Sequence, residues 1–217
     1  MAQPIYAAYT PSPYPVSVIG SQFIAPYPFE AIIVINSSGD LLITDVNHKI
    51  LFKVKPCNTN YHNQRVLLDV DDRPIVLMRE KTWTVHNGWK VFKGDSNSDS
   101  DLIFSTKTPK IIQSKTNVHV FLGSNTSSKG TCDFKITGSW SKRSCAIYVG
   151  DSSTVIAQMH KMEPPESVGF VKDKFMVTIY PYVDYAFVVT LIAIVEAMNS
   201  SDADDDVIEE VIGSVFG

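Results

Sequence analysis

The stretch of sequence that decides the fold is residues 184–199, which read Asp-Tyr-Ala-Phe-Val-Val-Thr-Leu-Ile-Ala-Ile-Val-Glu-Ala-Met-Asn. Asp184 is a good helix N-cap, and the residues after it are apolar on every helical face instead of along one stripe. A helix that is hydrophobic all round must be surrounded by protein. Its uncharged run, Tyr185 to Val195, holds 11 residues, whereas a membrane-spanning helix needs about 20. Residues 184–199 are therefore predicted to form a buried helix, and no transmembrane span is predicted.

Upstream of this helix, from Glu30 to Val183, the chain reads as a succession of short strands. Segments rich in Val, Ile, Phe and Thr, most of about 4–8 residues, are separated by turn residues. This spacing is typical of an antiparallel sandwich or barrel and not of βαβ units. A barrel of about a dozen strands is too wide for its own side chains to fill, and one apolar helix would fill it. The predicted fold class is mainly β, a closed antiparallel β-barrel of about twelve strands around a central hydrophobic C-terminal α-helix.

The chain divides into three parts. Residues 1–28 form a Pro/Tyr-rich N-terminal arm, because residues 1–29 hold six of the 12 prolines, four tyrosines and no charged side chain. Proline favours extended backbone, so the arm is expected to drape over the surface or to bind a protein partner. Residues 29–199 form the barrel with its central helix, and residues 200–217 form an acidic tail that is expected to be loosely ordered.

Charge is distributed unevenly along the chain. The formal net charge is −4 over 217 residues, which argues against a protein that binds nucleic acid through its whole surface. From Asp184 onward there are eight acidic residues and no basic one, whereas residues 30–183 hold 15 acidic and 19 basic residues. The barrel strands therefore carry a net charge of +4, which is compatible with an anionic partner.

Cysteine usage indicates the compartment. Three cysteines are present, too few for a disulfide framework, and the N-terminus does not resemble a secretory leader. An intracellular protein is expected, located in the cytoplasm, with the nucleus and the periphery of the plasma membrane as further locations.

Five segments occur in this order before the apolar helix: Leu67–Pro74, Trp89–Ser96, Asp101–Lys107, Phe134–Tyr148 and Ile156–Met159. Together with the helix, these segments resemble the LURP-one-related family of plants. This family is a branch of the tubby C-terminal-like group, which also includes the phospholipid scramblases. The resemblance covers about residues 23–200 and implies a barrel of about twelve strands around a helix. It also implies a link to plant defence and no established enzymatic activity. By analogy with tubby-like proteins, it implies a transcriptional regulator tethered to membranes through phosphoinositide head groups and released to the nucleus.

No catalytic or metal-binding pattern stands out, so no enzyme, cofactor or metal is predicted. The five histidines and three cysteines lack the spacing of a metal site. The loop Gly123–Thr131 superficially resembles a phosphate-binding loop, but Lys129 precedes Gly130 instead of following it. Nothing resembles a nucleophile with its base.

Basic residues are the remaining candidates for a site. Arg79 and Lys81 project from one face of a strand, and Glu80 from the other. The resemblance to tubby-like barrels implies that this pair, joined by a later basic residue at about Lys107, contacts an inositol phosphate. Two further basic residues, Lys142 and Arg143, are adjacent in a predicted turn. The predicted head-group site comprises Arg79, Lys81, Lys107, Lys142 and Arg143.

Three functions are compatible with this sequence. The leading one is a non-enzymatic module that binds anionic lipid head groups. The alternative is a protein-interaction scaffold without a lipid ligand, in which the cations are simply solvated and the Pro/Tyr arm binds partners. An enzyme or carrier that uses a barrel cavity is disfavoured, because the helix is expected to occupy the interior.

Overall fold

A computed structural model of the chain describes residues 15–60, 62–81, 88–108, 115–124, 130–162 and 171–216, and of residues 201–216 only the backbone. Within these ranges, twelve strands surround one long helix. The elements are β1 Phe29–Asn36, β2 Leu41–Asp45, β3 Ile50–Pro56, β4 Gln64–Leu68, β5 Pro74–Glu80, β6 Trp89–Lys93, β7 Leu102–Lys107, β8 Thr116–Leu122, β9 Phe134–Gly138, β10 Ala146–Val149, β11 Val155–Lys161, β12 Val171–Ile179 and α1 Tyr185–Phe216, with 3₁₀ turns at Ser21–Phe23 and Asp99–Asp101.

The strands form a closed antiparallel barrel. Each strand pairs with its neighbours in chain order, and β1 closes the ring by pairing with β12. Ile33 in β1 lies opposite Phe175 in β12 on one side and Ile43 in β2 on the other. All three side chains are buried, because alternate residues of each strand point into the barrel. The predicted fold class is confirmed.

The barrel interior is filled by α1. Phe187, Leu191 and Ile194 have no exposed surface. The ring centroid of Phe187 lies 5.3 Å from that of Phe104 in β7 and 5.0 Å from that of Phe134 in β9. Burying one such side chain contributes about 1.5–3 kcal/mol to stability. The all-round apolar character of the helix is thus explained by strands that surround it on every side.

The helical backbone continues past the segment 184–199 that was predicted to be the helix. The structure gives α1 as Tyr185–Phe216, so the backbone of the acidic segment is helical as well. Residues 200–212 contain neither proline nor glycine, so the residues that most strongly end helices are missing from them. Whether this segment is loosely ordered stays a prediction. Among the described residues, no helix combines the length and the apolar character needed to cross a membrane.

Antiparallel pairing gives the barrel two distinct ends. Odd-numbered strands finish at the end that we call the upper end, and even-numbered strands finish at the lower end. Since α1 follows β12, it enters the barrel at the lower end and leaves it at the upper end. Lys81, Lys107 and the 142–143 step all follow or end odd-numbered strands. The predicted site residues therefore lie toward the upper end.

The start of α1 is tied to the N-terminal segment at the lower end. Oδ2 of Asp184 accepts hydrogen bonds from the backbone N–H groups of Val18, Ile19 and Gly20, at 3.1, 2.7 and 3.0 Å. Its Oδ1 accepts the N–H of Phe187 at 3.0 Å, which is the predicted helix cap. Residues 1–14 of the predicted arm lie outside the described residues, so the proposed role of the arm in binding partners stays a prediction.

Candidate anion-binding site

The structure brings Arg79, Lys81 and Lys107 together on the outside of the barrel. Arg79 lies in β5, Lys81 directly follows that strand, and Lys107 ends β7. The pKa of Lys81 is lowered, first by burial and then by the positive charges of Lys107 and Lys90. Lys81 and Lys107 thus lie close together from the two sides of β6, and Arg79 lies two residues before Lys81 on the same face.

Lys90 in β6 is a fourth member, which sequence reasoning missed. It lies directly opposite Arg79 in the β5–β6 pairing and opposite Ser105 in the β6–β7 pairing. Its neighbours Trp89 and Val91 are buried in the core, so Lys90 points outward by strand alternation. We call Arg79, Lys81, Lys90 and Lys107 the basic wall.

Two aromatic rings support the cations of the basic wall. The guanidinium carbon of Arg79 lies 4.9 Å from the ring centroid of Phe92, and Nζ of Lys107 lies 5.0 Å from that of Phe121. Phe92 shares the outward face with Lys90, yet it has no exposed surface and lies outside the barrel core cluster. Cation–π contacts of this kind contribute about 0.5–1 kcal/mol at exposed sites and limit the motion of both side chains.

Among the described residues, one acidic side chain forms an ion pair with the basic wall. Nζ of Lys90 donates a 2.7 Å hydrogen bond to Oδ1 of Asp99, which lies in the 3₁₀ turn before β7. This hydrogen bond and the charge of Lys90 lower the pKa of Asp99, and the charge of Arg79 adds to the effect. In the described part of the chain, neither Arg79, Lys81 nor Lys107 forms an ion pair.

The structure separates the predicted pair Lys142 and Arg143 from the basic wall. Both lie in the turn between β9 and β10, and β8 stands between β9 and Lys107 in β7. Lys142 is exposed. Arg143 has a positive φ of 49°, and only 11% of its side-chain surface is exposed.

Arg143 is engaged inside the upper end of the barrel. Its Nε donates a 2.7 Å hydrogen bond to Oδ2 of Asp173, to which Nη2 also donates. Nη2 lies 3.6 Å from Oε2 of Glu196 in α1. The guanidinium carbon is 4.4 Å from the ring centroid of Trp140 and 4.6 Å from that of Phe175. This geometry gives Arg143 structural partners and does not support its predicted contact with a lipid head group, which stays untested.

The site has the chemistry of an anion receptor. The basic wall offers guanidinium and ammonium donors on the barrel exterior, with aromatic support and one displaceable carboxylate. Among the described residues, no group of three His, Cys, Asp or Glu side chains could hold a metal ion. A depression of about 370 Å³ lies instead at the lower end, lined by residues 27–30 and 45–47.

The chain is similar in sequence to known proteins of one family. A family model described as LURP-one-related matches residues 32–196. Among curated proteins of Arabidopsis thaliana, LURP-one-related 15 is 43% identical over 189 residues, which cover 85% of this chain and 87% of the relative. LURP-one-related 10 is 40% identical over 194 residues, with 87% and 100% covered. LURP1 is 38% identical over 184 residues, with 83% and 88% covered.

A solved structure is also similar. The X-ray structure of a protein from Arabidopsis thaliana superimposes with a TM-score of 0.68 at 40% sequence identity, covering 84% of this chain and 98% of that one. The similarity therefore includes nearly all of the compared structure.

Proposed function

The chain is a member of the LURP-one-related family, and from this premise we propose that it is a non-enzymatic, tubby-like module whose basic wall binds the anionic head groups of phosphoinositide-bearing membranes. The proposed binding is peripheral and reversible. As the resemblance to tubby-like proteins implies, release from the membrane would let the protein act in the nucleus, in defence signalling.

The observation that carries this proposal is the crowding of like charges on the basic wall. Burial lowers the pKa of Lys81 most, and the positive charges of Lys107 and Lys90 lower it further, so protonated Lys81 lies close to two like charges. A phosphate placed among these side chains would be attracted by all of them and would relieve their mutual repulsion.

Arg79 adds directional binding to this field. A guanidinium can donate two parallel hydrogen bonds to one phosphate group. The contact of its guanidinium with the Phe92 ring restricts the side chain before a ligand arrives, so less side-chain entropy is lost on binding. The net charge of +4 over residues 30–183 favours approach to an anionic surface at low salt.

Charge reversal of the basic wall tests the proposal. We expect the double variant Arg79→Glu/Lys81→Glu to lose co-sedimentation with vesicles that contain phosphatidylinositol bisphosphate. The matched control is Lys172→Glu/Lys174→Glu, which makes the same change of charge at the same spacing in β12, five strand positions away round the barrel. Binding of the unchanged protein should weaken when salt is raised, because exposed charges are screened.

Equal binding by the two folded double variants would contradict the proposed site. If the unchanged protein binds no anionic vesicle at either salt concentration, the lipid function fails. The protein-interaction scaffold would then be the remaining proposal.

A further inference from the structure

The connection between β6 and β7 carries a serine- and aspartate-rich turn beside the basic wall. Residues 94–101 read Gly-Asp-Ser-Asn-Ser-Asp-Ser-Asp. Ser98 is exposed, and its Oγ lies 2.8 Å from that of Ser100. Ser96 is partly buried, and its hydroxyl donates a 2.6 Å hydrogen bond to Oδ2 of Asp101. The hydroxyl of Ser98 is therefore more accessible than that of Ser96.

The residues around Ser98 match the charge pattern that acidophilic protein kinases read. Such kinases select a serine by acidic side chains at the first and third positions after it, which complement a basic substrate groove. Asp99 and Asp101 occupy these two positions, and Asp95 precedes Ser98 by three. Ser100 is followed at its third position by Ile103, so it lacks half of the pattern. In the part of the chain that the structure describes, the carboxylate of Asp99 is held by one solvent-accessible ion pair, which is weak enough to open for a kinase.

We propose that Ser98 is a phosphorylation site for an acidophilic serine/threonine kinase, and that its phosphate weakens the binding of anionic head groups by the basic wall. The second half of this statement rests on the proposed function. In the reaction, Oγ of Ser98 bonds to the γ-phosphorus of ATP. The bond from that phosphorus to the bridging oxygen breaks, ADP leaves with the electron pair, and the hydroxyl proton passes to the catalytic base of the kinase.

The coupling follows from the position of the turn. Ser98 precedes Asp99, whose carboxylate lies 2.7 Å from Nζ of Lys90 and is also influenced by the positive charge of Arg79. A phosphoserine adds about 1.5 to 2 negative charges. Because Ser98 is bonded directly to Asp99, these charges are added next to the carboxylate that pairs with Lys90, and exposed charges interact over about one Debye length, roughly 8 Å at physiological salt. The phosphate therefore reduces the field that attracts a second anion.

Two measurements on the full-length protein test this inference. The protein is incubated with a casein-kinase-type acidophilic kinase and Mg-ATP, and the modified residue is mapped by mass spectrometry. We expect phosphate on Ser98 in the unchanged protein and in Ser100→Ala, and its loss in Ser98→Ala. The phosphorylated protein should then bind phosphatidylinositol bisphosphate vesicles roughly fivefold more weakly than the unmodified protein.

The outcomes separate this inference from the proposed function. Absence of phosphate on Ser98, while the kinase modifies an acidic control peptide, overturns the site. Unchanged vesicle affinity after complete phosphorylation overturns the coupling. If the unmodified protein fails to bind vesicles, the proposed function and the coupling fall together, and the mass spectrum alone decides whether Ser98 is the modification site.

Discussion

The indole Nε1 of Trp140 donates a 3.0 Å hydrogen bond to Oε2 of Glu196, which joins the β9–β10 turn to the central helix. Both residues are buried, with 6% and 4% of their surface exposed. Arg143 lies 3.6 Å from the same carboxylate. Burial lowers the pKa of Arg65, and the negative charge of Glu196 opposes this lowering. One buried carboxylate thus compensates cations from two different parts of the barrel wall.

Glu196→Gln should therefore destabilise the fold. The change removes the negative charge that faces Arg65 and Arg143 but keeps the size of the side chain and an acceptor for Trp140. Leaving buried cations undercompensated should lower the free energy of unfolding by about 2 kcal/mol, measured by urea denaturation. Trp140→Phe, which removes the hydrogen bond but no charge, should cost about 1 kcal/mol from that bond plus a further loss from the smaller ring. A Glu196→Gln variant as stable as the unchanged protein would contradict the charge-compensating role.

Asp184→Ala should loosen the lower end of the barrel. One carboxylate accepts four backbone N–H groups, so its removal takes away the helix cap and the anchor of residues 18–20. The expected loss of stability is on the order of 3 kcal/mol. Hydrogen exchange should accelerate at Val18, Ile19 and Gly20 in particular. The control is Asp45→Ala, since that carboxylate accepts only N–H groups of its own turn. Similar exchange at residues 18–20 in both variants would argue against the anchor.

Asp99→Asn should strengthen vesicle binding. Within the described structure, Asp99 is the one carboxylate in an ion pair with the basic wall, and its removal frees Lys90 for a ligand. We expect the affinity for phosphatidylinositol bisphosphate vesicles to rise roughly threefold. The free energy of one exposed ion pair corresponds to a change in affinity of this size. Asp95→Asn removes the same charge from the same turn and serves as the control. If both variants bind equally well, the gain comes from net charge and not from Lys90.

Vesicle binding should weaken at alkaline pH before ordinary lysines titrate. The pKa of Lys81 lies below its usual value of 10.5, so this side chain loses its proton and its positive charge as pH rises toward that value. A bound phosphate favours the charged form and raises the pKa again, so binding in this range takes up a proton. Calorimetry in two buffers of different ionisation enthalpy measures the uptake. The Lys81→Arg variant keeps its positive charge in this pH range, so most of the proton uptake should be lost. Equal uptake in both proteins would exclude Lys81 as the titrating group.

Local pattern was enough to predict the barrel and the shared face of two members of the basic wall. Strand alternation placed Arg79 and Lys81 on one face, and the family resemblance added Lys107. Lys90 lay in a matching segment, and alternation alone would have turned it outward. That Lys90 lies opposite Arg79 could not be predicted, however. The register between β5 and β6 decides this pairing, and no short-range sequence signal specifies that register.

Arg143 shows the limit of the same reasoning. Adjacent basic residues in a turn are ordinarily solvated, so Arg143 was expected to be exposed. Its carboxylate partners come from β12 and α1, and the aromatic faces that cover it come from Trp140 and Phe175. Arg143 has a positive φ of 49°, and its side chain is largely buried while its neighbour Lys142 is exposed.

By itself the sequence determined the architecture, because both decisive signals are local. A helix that is apolar all round must be enclosed, and a long series of short strands can enclose it by closing into a barrel. Only the tertiary structure decided which charges work together. Strand register places Lys90 beside Arg79, Lys81 and Lys107. Glu196 meets Arg143 because α1 leaves the barrel at the end where the β9–β10 turn lies. Electrostatic interaction depends on distance in space, and in a closed barrel residues far apart in the chain become neighbours.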